Sequence, residues 1–387
     1  MTDKRCWFSE NHLYLNKTHN GFLLAPCCLA VHHIPFENYV SSIDKIYDSK
    51  FLSDIRNDLR NNKKPVSCKD CWVRESEKNL FSLRQNFLNH LQLADQKNIN
   101  DSNQKIESWD LRPGNTCNLK CIMCSPFNST SWYSDIDIYE KYMHKFKSEN
   151  VSSFSDDEWN YIKENTVNRA KKIYIAGGEP FYMKQTFDLL YHLSKYEWNL
   201  ENTEITINTN GVSFNNKLNN ILLKFKKLVI IISIDGYNEV NEYIRYPTNF
   251  SELLSNIKYF SENFHGSLHF NTTVQACNLP NLNYMPLQLH KIQKKYNKEF
   301  YFGLHPLIYP SFLGISSLKP NVIEEVIKDF DNGKVVDNII STKYIKKLVK
   351  EYYHYNDDHN KKLKQYLNSI DERRNLNSIK TLPWCWI

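Results

Sequence analysis

Arg112-Pro113-Gly114-Asn115-Thr116-Cys117-Asn118-Leu119-Lys120-Cys121-Ile122-Met123-Cys124 is the stretch on which the reading turns. It follows an extended segment, Ile106–Leu111, and places three cysteines at C-x3-C-x2-C spacing on a short loop. Such a loop brings thiolates onto a compact body from several directions, which a strand or a straight helix cannot do, and this suits an iron–sulfur cube. Three thiols leave one iron without a protein ligand, and an open position on a metal marks a site that takes a substrate or cofactor. A zinc site, or a structural cluster closed by a distant fourth cysteine, shares this spacing and stays open on these residues alone.

Outward from the loop, extended and helical patterns alternate. Strands are expected at Ile106–Leu111, Lys172–Ala176, Glu204–Thr209, Leu228–Ile234, Leu268–Val274 and Phe300–Leu304. Helices are expected at Gln185–Lys195, Asn216–Phe225, Phe250–Asn263, Asn283–Lys294 and Asn321–Asn332. Asp137–Asn168 adds one or two helices before the second strand. Successive β-α units predict an α/β fold in which helices cover a parallel sheet drawn into a partial barrel, with working groups at the carboxyl ends of the strands. The polar stretch Ala94–Gln104 marks a boundary, so the expected domains are a cysteine-rich module (1–100), the barrel (101–330) and a helical C-terminal segment with its tail (331–387).

The strand ends carry the remaining motifs. The second strand runs into Gly177-Gly178-Glu179-Pro180, where paired glycines permit close backbone approach and a carboxylate can accept from an ammonium group. The third ends at Asn208-Thr209-Asn210-Gly211, the fourth at Ser233-Ile234-Asp235-Gly236, and the fifth leads to Asn278. Taken singly, these are also ordinary turn formers.

Set on successive strand ends, these motifs resemble the radical S-adenosylmethionine (SAM) superfamily, whose members carry C-x3-C-x2-C after the first strand of a partial (β/α)6 TIM-like barrel. The resemblance implies that Cys117, Cys121 and Cys124 hold a [4Fe–4S] cluster whose fourth iron chelates the amino and carboxylate groups of SAM. It implies that Gly177, Gly178, Glu179 and Pro180 bind the amino group, and that Asn210, Ser233 and Asp235 lie near the ribose and carboxylate. Arg245 then pairs with the carboxylate and Asn278 reaches the adenosine. Many members have an aromatic residue before the third cysteine. Here Met123 stands there, and its polarizable thioether fills the same apolar spot beside the adenine. A flavodoxin- or ferredoxin-type donor would supply the electron, and a 5′-deoxyadenosyl radical would take hydrogen from a substrate inside the barrel.

The first hundred residues have a pattern of their own. Two extended pieces flank Asn20-Gly21, the second ending at Pro26-Cys27-Cys28. A helix is expected after Ser42, with Ile43, Tyr47, Phe51, Ile55 and Leu59 on one face. Cys68-Lys69-Asp70-Cys71-Trp72 follows, then a helix carrying Leu83, Phe87 and Leu88. Cys6, Cys27 or Cys28, Cys68 and Cys71 make the donor set of a second, fully ligated centre, and four thiolates with a C-x2-C pair also make a structural zinc site. The order of these features resembles a twitch domain, the shortened form of the SPASM domain, set ahead of the barrel. It implies an auxiliary [4Fe–4S] cluster, and together with the barrel motifs the resemblance covers about residues 1–310. Of the other cysteines, Cys277 reads as a small buried hydrophobe at the barrel mouth. Cys385, between Trp384 and Trp386, has no role assigned.

Composition narrows the rest. Of the 387 residues 41% are hydrophobic and 24% charged, as in a globular protein, and eight of the ten cysteines fall in two clusters, as metal ligands would. The net charge of +6 is spread along the chain, so it reads as a solvated surface and no nucleic-acid partner is expected. The longest apolar run, Leu228–Ile234, is too short for a membrane span. No secretory signal opens the chain, so a cytoplasmic location is expected. Relatives with twitch or SPASM modules often modify peptides or proteins, which makes a peptide-modifying maturase of oxidoreductase type the expected function. Radical modification of a small molecule, such as a sugar or alcohol, is the other enzyme reading. An iron–sulfur binding or regulatory protein without turnover is a third, but it would have no need of a SAM site.

Overall fold

In the computed structural model the described residues are 6–18, 21–30, 34–36, 47–76, 82–85, 106–147, 153–168, 170–213, 216–282, 284–332 and 342–387. Their strands form one sheet: β1 (His12–Thr18), β2 (Gly21–Ala25), β3 (Ile34–Phe36), β4 (Ser108–Leu111), β5 (Lys172–Ile175), β6 (Glu204–Thr209), β7 (Lys227–Ser233), β8 (Ser267–Val274) and β9 (Phe300–Pro306). The order is β3-β2-β1-β4-β5-β6-β7-β8-β9. From β4 to β9 every neighbour is parallel. The fold is therefore α/β, with a mostly parallel sheet in the form of a partial barrel.

The N-terminal hairpin is part of this sheet. β1 and β2 pair antiparallel, Tyr14 opposite Ala25, and β1 also runs parallel to β4 with His12 opposite Ser108 and Leu15 opposite Leu111. Because β2 runs back down, Pro26-Cys27-Cys28 comes out near the amino ends of the barrel strands. The cysteine triplet, after β4, lies at the opposite end.

Alternation along each strand decides which face is core. Trp109, Ile173, Ile175, Ile205, Ile207, Leu228, Ile230, Ile232, Leu268 and Phe270 are buried under Leu189, Leu193, Leu222, Leu253, Ile257 and Phe260 of the covering helices. The residues between them point the other way and are largely polar: Ser108, Asp110, Lys172, Tyr174, Glu204, Thr206 and His269. They share a central cavity of about 580 Å³ with Trp7, Phe8, Leu83 and Tyr301, so the sheet curls around an opening instead of filling its interior. A second core, including Trp132, Ile244, Leu313, Tyr366, Leu367 and Ile370, packs Asp357–Arg374 against the triplet end.

Most elements keep the expected positions, and Glu204–Thr209 and Phe250–Asn263 fall where the pattern places them. The helix expected from Ser42 is described from Lys50 to Arg60, with Ser49 before it. Ser42, Ile43, Phe87, Leu88 and the boundary at 94–104 lie outside the described residues. The insertion holds Ile136–Tyr142 and Asp156–Tyr161, the latter started by a capping box between Ser155 and Glu158 and continued by a π turn. Among the described residues no helix is long and apolar enough to cross a membrane.

Candidate active site

The triplet loop is pinned on several sides. Lys120 N donates to Tyr246 O (2.7 Å) and Ile122 N to Ile244 O (2.9 Å). Trp132 Nε1 donates to Cys121 O (3.0 Å) and Ser131 Oγ to Cys117 O (2.8 Å). From the C-terminal helix, Tyr366 OH donates to Ile122 O (2.7 Å) and Arg374 Nη1 to Lys120 O (2.8 Å). Arg374 is held in turn by Asp135, 2.9 Å away, which also takes Lys120 Nζ at 2.8 Å. Local sequence gave no sign of Tyr366 or Arg374, because their partners lie more than 200 residues earlier.

The thiols have donors close by. Leu119 N points at Cys117 Sγ (3.4 Å), and Arg245 Nη1 lies 3.9 Å from Cys121 Sγ. Burial, reinforced by the neighbouring Cys121, pushes the Cys117 and Cys124 thiols up to about 12. Without a metal they stay protonated, and a metal must displace their protons to bind. Three thiols on one loop, backed by an N–H and a guanidinium, fit the donor set of an iron–sulfur cluster. Met123 is partly buried beside Cys124 and Phe127 in the second core.

Gly177-Gly178-Glu179-Pro180 is fitted directly onto this loop. Gly177 and Gly178 have φ of +86° and +52°, a backbone that L side chains rarely adopt. A Cβ on Gly178 would lie 2.4 Å from Thr116 O, so the turn and the cysteine loop touch backbone to backbone. Glu179 N donates to Thr116 O (2.8 Å). The Glu179 carboxylate is buried and accepts from Thr209 Oγ1 (2.6 Å), Asn210 N (2.7 Å) and Phe181 N (3.0 Å). Pro180 begins the short turn that carries Phe181. Asn210 Nδ2 donates to Asn118 Oδ1 (2.8 Å) and ties the end of β6 to the triplet loop.

Burial raises Glu179 to about 7, against the pull of its three donors. Such an acid is neutral below that value and ionises as pH rises through it. Affinity for an ammonium-bearing ligand is therefore expected to climb by up to about tenfold per pH unit below 7 and to level off above it. Calorimetric titration between about pH 6 and 8 measures this, and a flat profile would contradict it. The stability of the free chain runs the other way. It falls as pH rises from the ordinary 4.5 through about 7, because the folded state resists ionisation of this carboxyl.

The other expected residues have distinct surroundings. Arg245 Nε lies 2.7 Å from Asp235 Oδ2, and Asp235 Oδ1 accepts from Thr273 N (2.7 Å). Asp235 is fully buried, so its place in the geometry is to fix Arg245 beside Cys121. Ser233 Oγ reaches Asn208 Oδ1 at 3.3 Å. Asn278 is fully buried, and its amide is spent on its own loop, accepting from Gln275 N and donating to Thr273 O, both at 2.8 Å. The side chain expected to reach a nucleoside thus shapes the turn after β8.

At the amino ends of the strands, Cys6, Cys27, Cys68 and Cys71 line one pocket with Trp72 and Arg84. Arg84 is ion-paired with Glu75 at 2.6 Å. Cys28 is exposed on the wall of the central cavity. Among the described residues no three metal-binding side chains converge on a single point as the ligands of one ion would. Cys277 and Cys385 are both fully buried with their thiols in contact, and Trp384 Nε1 donates to Ala276 O (3.0 Å), anchoring the tail to the loop after β8.

Residues 111–288 match the family model described as the Radical SAM superfamily. Among curated proteins nothing matches. Similar solved structures include anSMEcpe with bound AdoMet, at 18% identity over 59% of this chain and 60% of that one, with a TM-score of 0.39. SuiB of Streptococcus suis bound to the precursor peptide SuiA is 15% identical over 84% of this chain and 70% of that one, with a TM-score of 0.40. TYW1 with a lysine-pyruvate adduct bound is 12% identical over 58% of this chain and 73% of that one, with a TM-score of 0.33. The chain thus spans about three fifths of the length of anSMEcpe. By the family match, residues 111–288 carry a Radical SAM superfamily domain.

Proposed function

We propose that Cys117, Cys121 and Cys124 hold a [4Fe–4S] cluster beside a SAM site, and that the chain uses the two to take hydrogen from a peptide or protein segment in the central cavity. When bound, the cluster supplies the low-potential electron that cleaves SAM to a 5′-deoxyadenosyl radical. The observation that carries this reading is the contact between the Gly178–Glu179 turn and the triplet loop. It sets a buried carboxylate and three thiols in one rigid unit, with Glu179 N on Thr116 O at 2.8 Å. Glu179, ionised above about pH 7, receives the ligand's ammonium group. Arg245, held by Asp235 at 2.7 Å, offers a guanidinium to its carboxylate. Asn210, tied to the triplet loop through Asn118 at 2.8 Å, and Ser233, at the end of β7, are proposed to lie near the same ligand, with Met123 as an apolar surface.

The N-terminal cysteines, whose hairpin joins the barrel sheet, are proposed to hold an auxiliary cluster. Four thiols around one pocket, with Arg84 beside them, support that reading. The peptide substrate rests on the module's resemblance to twitch domains, and a flavodoxin- or ferredoxin-type protein is the proposed donor. A small-molecule substrate is the second reading, and the cavity favours it in one respect. Its volume of about 580 Å³ lies within the range of small-ligand sites. Its charges are also matched internally, Lys172 with Glu204 at 2.7 Å and Arg112 with Asp110 at 2.8 Å. Deuterium-labelled candidate peptides and sugars separate the two readings: the true substrate class passes label into 5′-deoxyadenosine.

A further inference from the structure

We infer that Cys27, and not its neighbour Cys28, completes the N-terminal thiol set with Cys6, Cys68 and Cys71, leaving Cys28 as an unligated thiol on the wall of the central cavity. This rests on the proposal that the N-terminal module holds a metal centre. Sequence spacing alone cannot choose, because the two cysteines are adjacent and either is within reach of the C-x2-C pair.

The fold separates them. They lie in the turn after β2, closed by Ala30 N donating to Cys27 O at 3.2 Å. Cys27 lines the pocket that Cys6, Cys68 and Cys71 also line. Cys28 is absent from that lining. It is exposed and lines the central cavity together with Asp110, Arg112 and Tyr174 of the barrel.

Cys27 borders both openings, so the N-terminal set and the central cavity share it as a wall. A molecule filling the cavity therefore meets the Cys28 thiol and the edge of the N-terminal set together. Because the nearby charges are paired, with Arg112 on Asp110 at 2.8 Å, the ligand groups that suit this wall are uncharged and polar, namely hydroxyls or amides.

The test uses the full chain with Cys117→Ala, Cys121→Ala and Cys124→Ala, so that only the N-terminal set remains. It is reconstituted anaerobically with iron and sulfide, and bound iron, sulfide and zinc are counted. Adding Cys28→Ala is expected to leave the metal content unchanged, whereas adding Cys27→Ala is expected to remove most of it. The reverse pattern, or equal loss from both, overturns the assignment. A second measurement does not depend on the variants folding. In the metal-loaded wild-type chain, a brief iodoacetamide pulse read by peptide mass spectrometry is expected to label Cys28 at least about tenfold faster than Cys27. Equal protection of both overturns the assignment. If the site takes zinc, the auxiliary-cluster proposal falls while the two variants still decide between the cysteines. If it takes no metal, both fall.

Discussion

Cys121→Ala is expected to lower 5′-deoxyadenosine formation by more than about 100-fold, a larger loss than removing a residue that only supports a ligand. Cys121 is the buried member of the triplet, midway along a loop whose carbonyls are held by Trp132, Tyr366 and Arg374. Those contacts run through its backbone and its neighbours, so they survive the substitution. The fold should lose no more than about 1–2 kcal/mol, as for deletion of a small buried group. Iron content should fall by one cluster, while the melting temperature of the metal-free variant should lie within a few degrees of that of the metal-free wild type. A variant that keeps its iron and its activity would remove Cys121 from the ligand set.

Gly178→Ala should act on both stability and ligand binding. The left-handed backbone at φ +52° costs a side chain about 1–2 kcal/mol. The new Cβ would also press on Thr116 O at 2.4 Å and on Asn115 C and Thr116 N, each at 2.9 Å. These are backbone atoms of the cysteine loop, so none can rotate away, and overpacking adds about 1–3 kcal/mol. A total of roughly 2–5 kcal/mol is expected in denaturant unfolding. The turn must lift from the loop, taking Glu179 with it, and SAM affinity should fall by about tenfold or more. Gly177→Ala gives the contrast. The atoms nearest its Cβ would be Gly114 O and Arg112 at 3.2–3.4 Å, so its steric part is smaller although φ is +86°. Equal effects from the two substitutions would argue against the backbone contact as the cause.

The barrel could be read because its signals are local. Alternation over Glu204–Thr209, and a three-to-four period over Phe250–Asn263 started by Asn249 accepting from Ser251 N and Glu252 N, each decide their own element. The triplet, Gly177–Pro180 and the strand ends were legible for the same reason. Contacts between distant segments were not. Nothing near His12–Thr18 indicates that β1 will pair with β4, because pairing partners are chosen by the whole sheet. Nor does the charged pattern of Asp357–Arg374 announce Tyr366 and Arg374 as supports of the triplet loop. Asp235 and Asn278 carry the lesson furthest. Each stands at a strand end where a ligand contact was expected, and the structure commits each to holding other protein groups. Polar residues at strand ends serve the backbone as readily as a ligand, and only their surroundings tell which.

The pocketed cysteines extend the same point. Adjacent Cys27 and Cys28 look alike in the sequence, and differ in that only Cys27 also lines the pocket of Cys6, Cys68 and Cys71. That difference arises from the direction of β2, which returns the chain to the amino ends of the barrel strands.

The most direct test of the account is anaerobic incubation of the reconstituted full-length chain with SAM and a low-potential reductant, with 5′-deoxyadenosine quantified by chromatography. Formation of 5′-deoxyadenosine that depends on reductant and is lost in Cys121→Ala is the expected result. A chain with its full complement of iron that leaves SAM intact would contradict it.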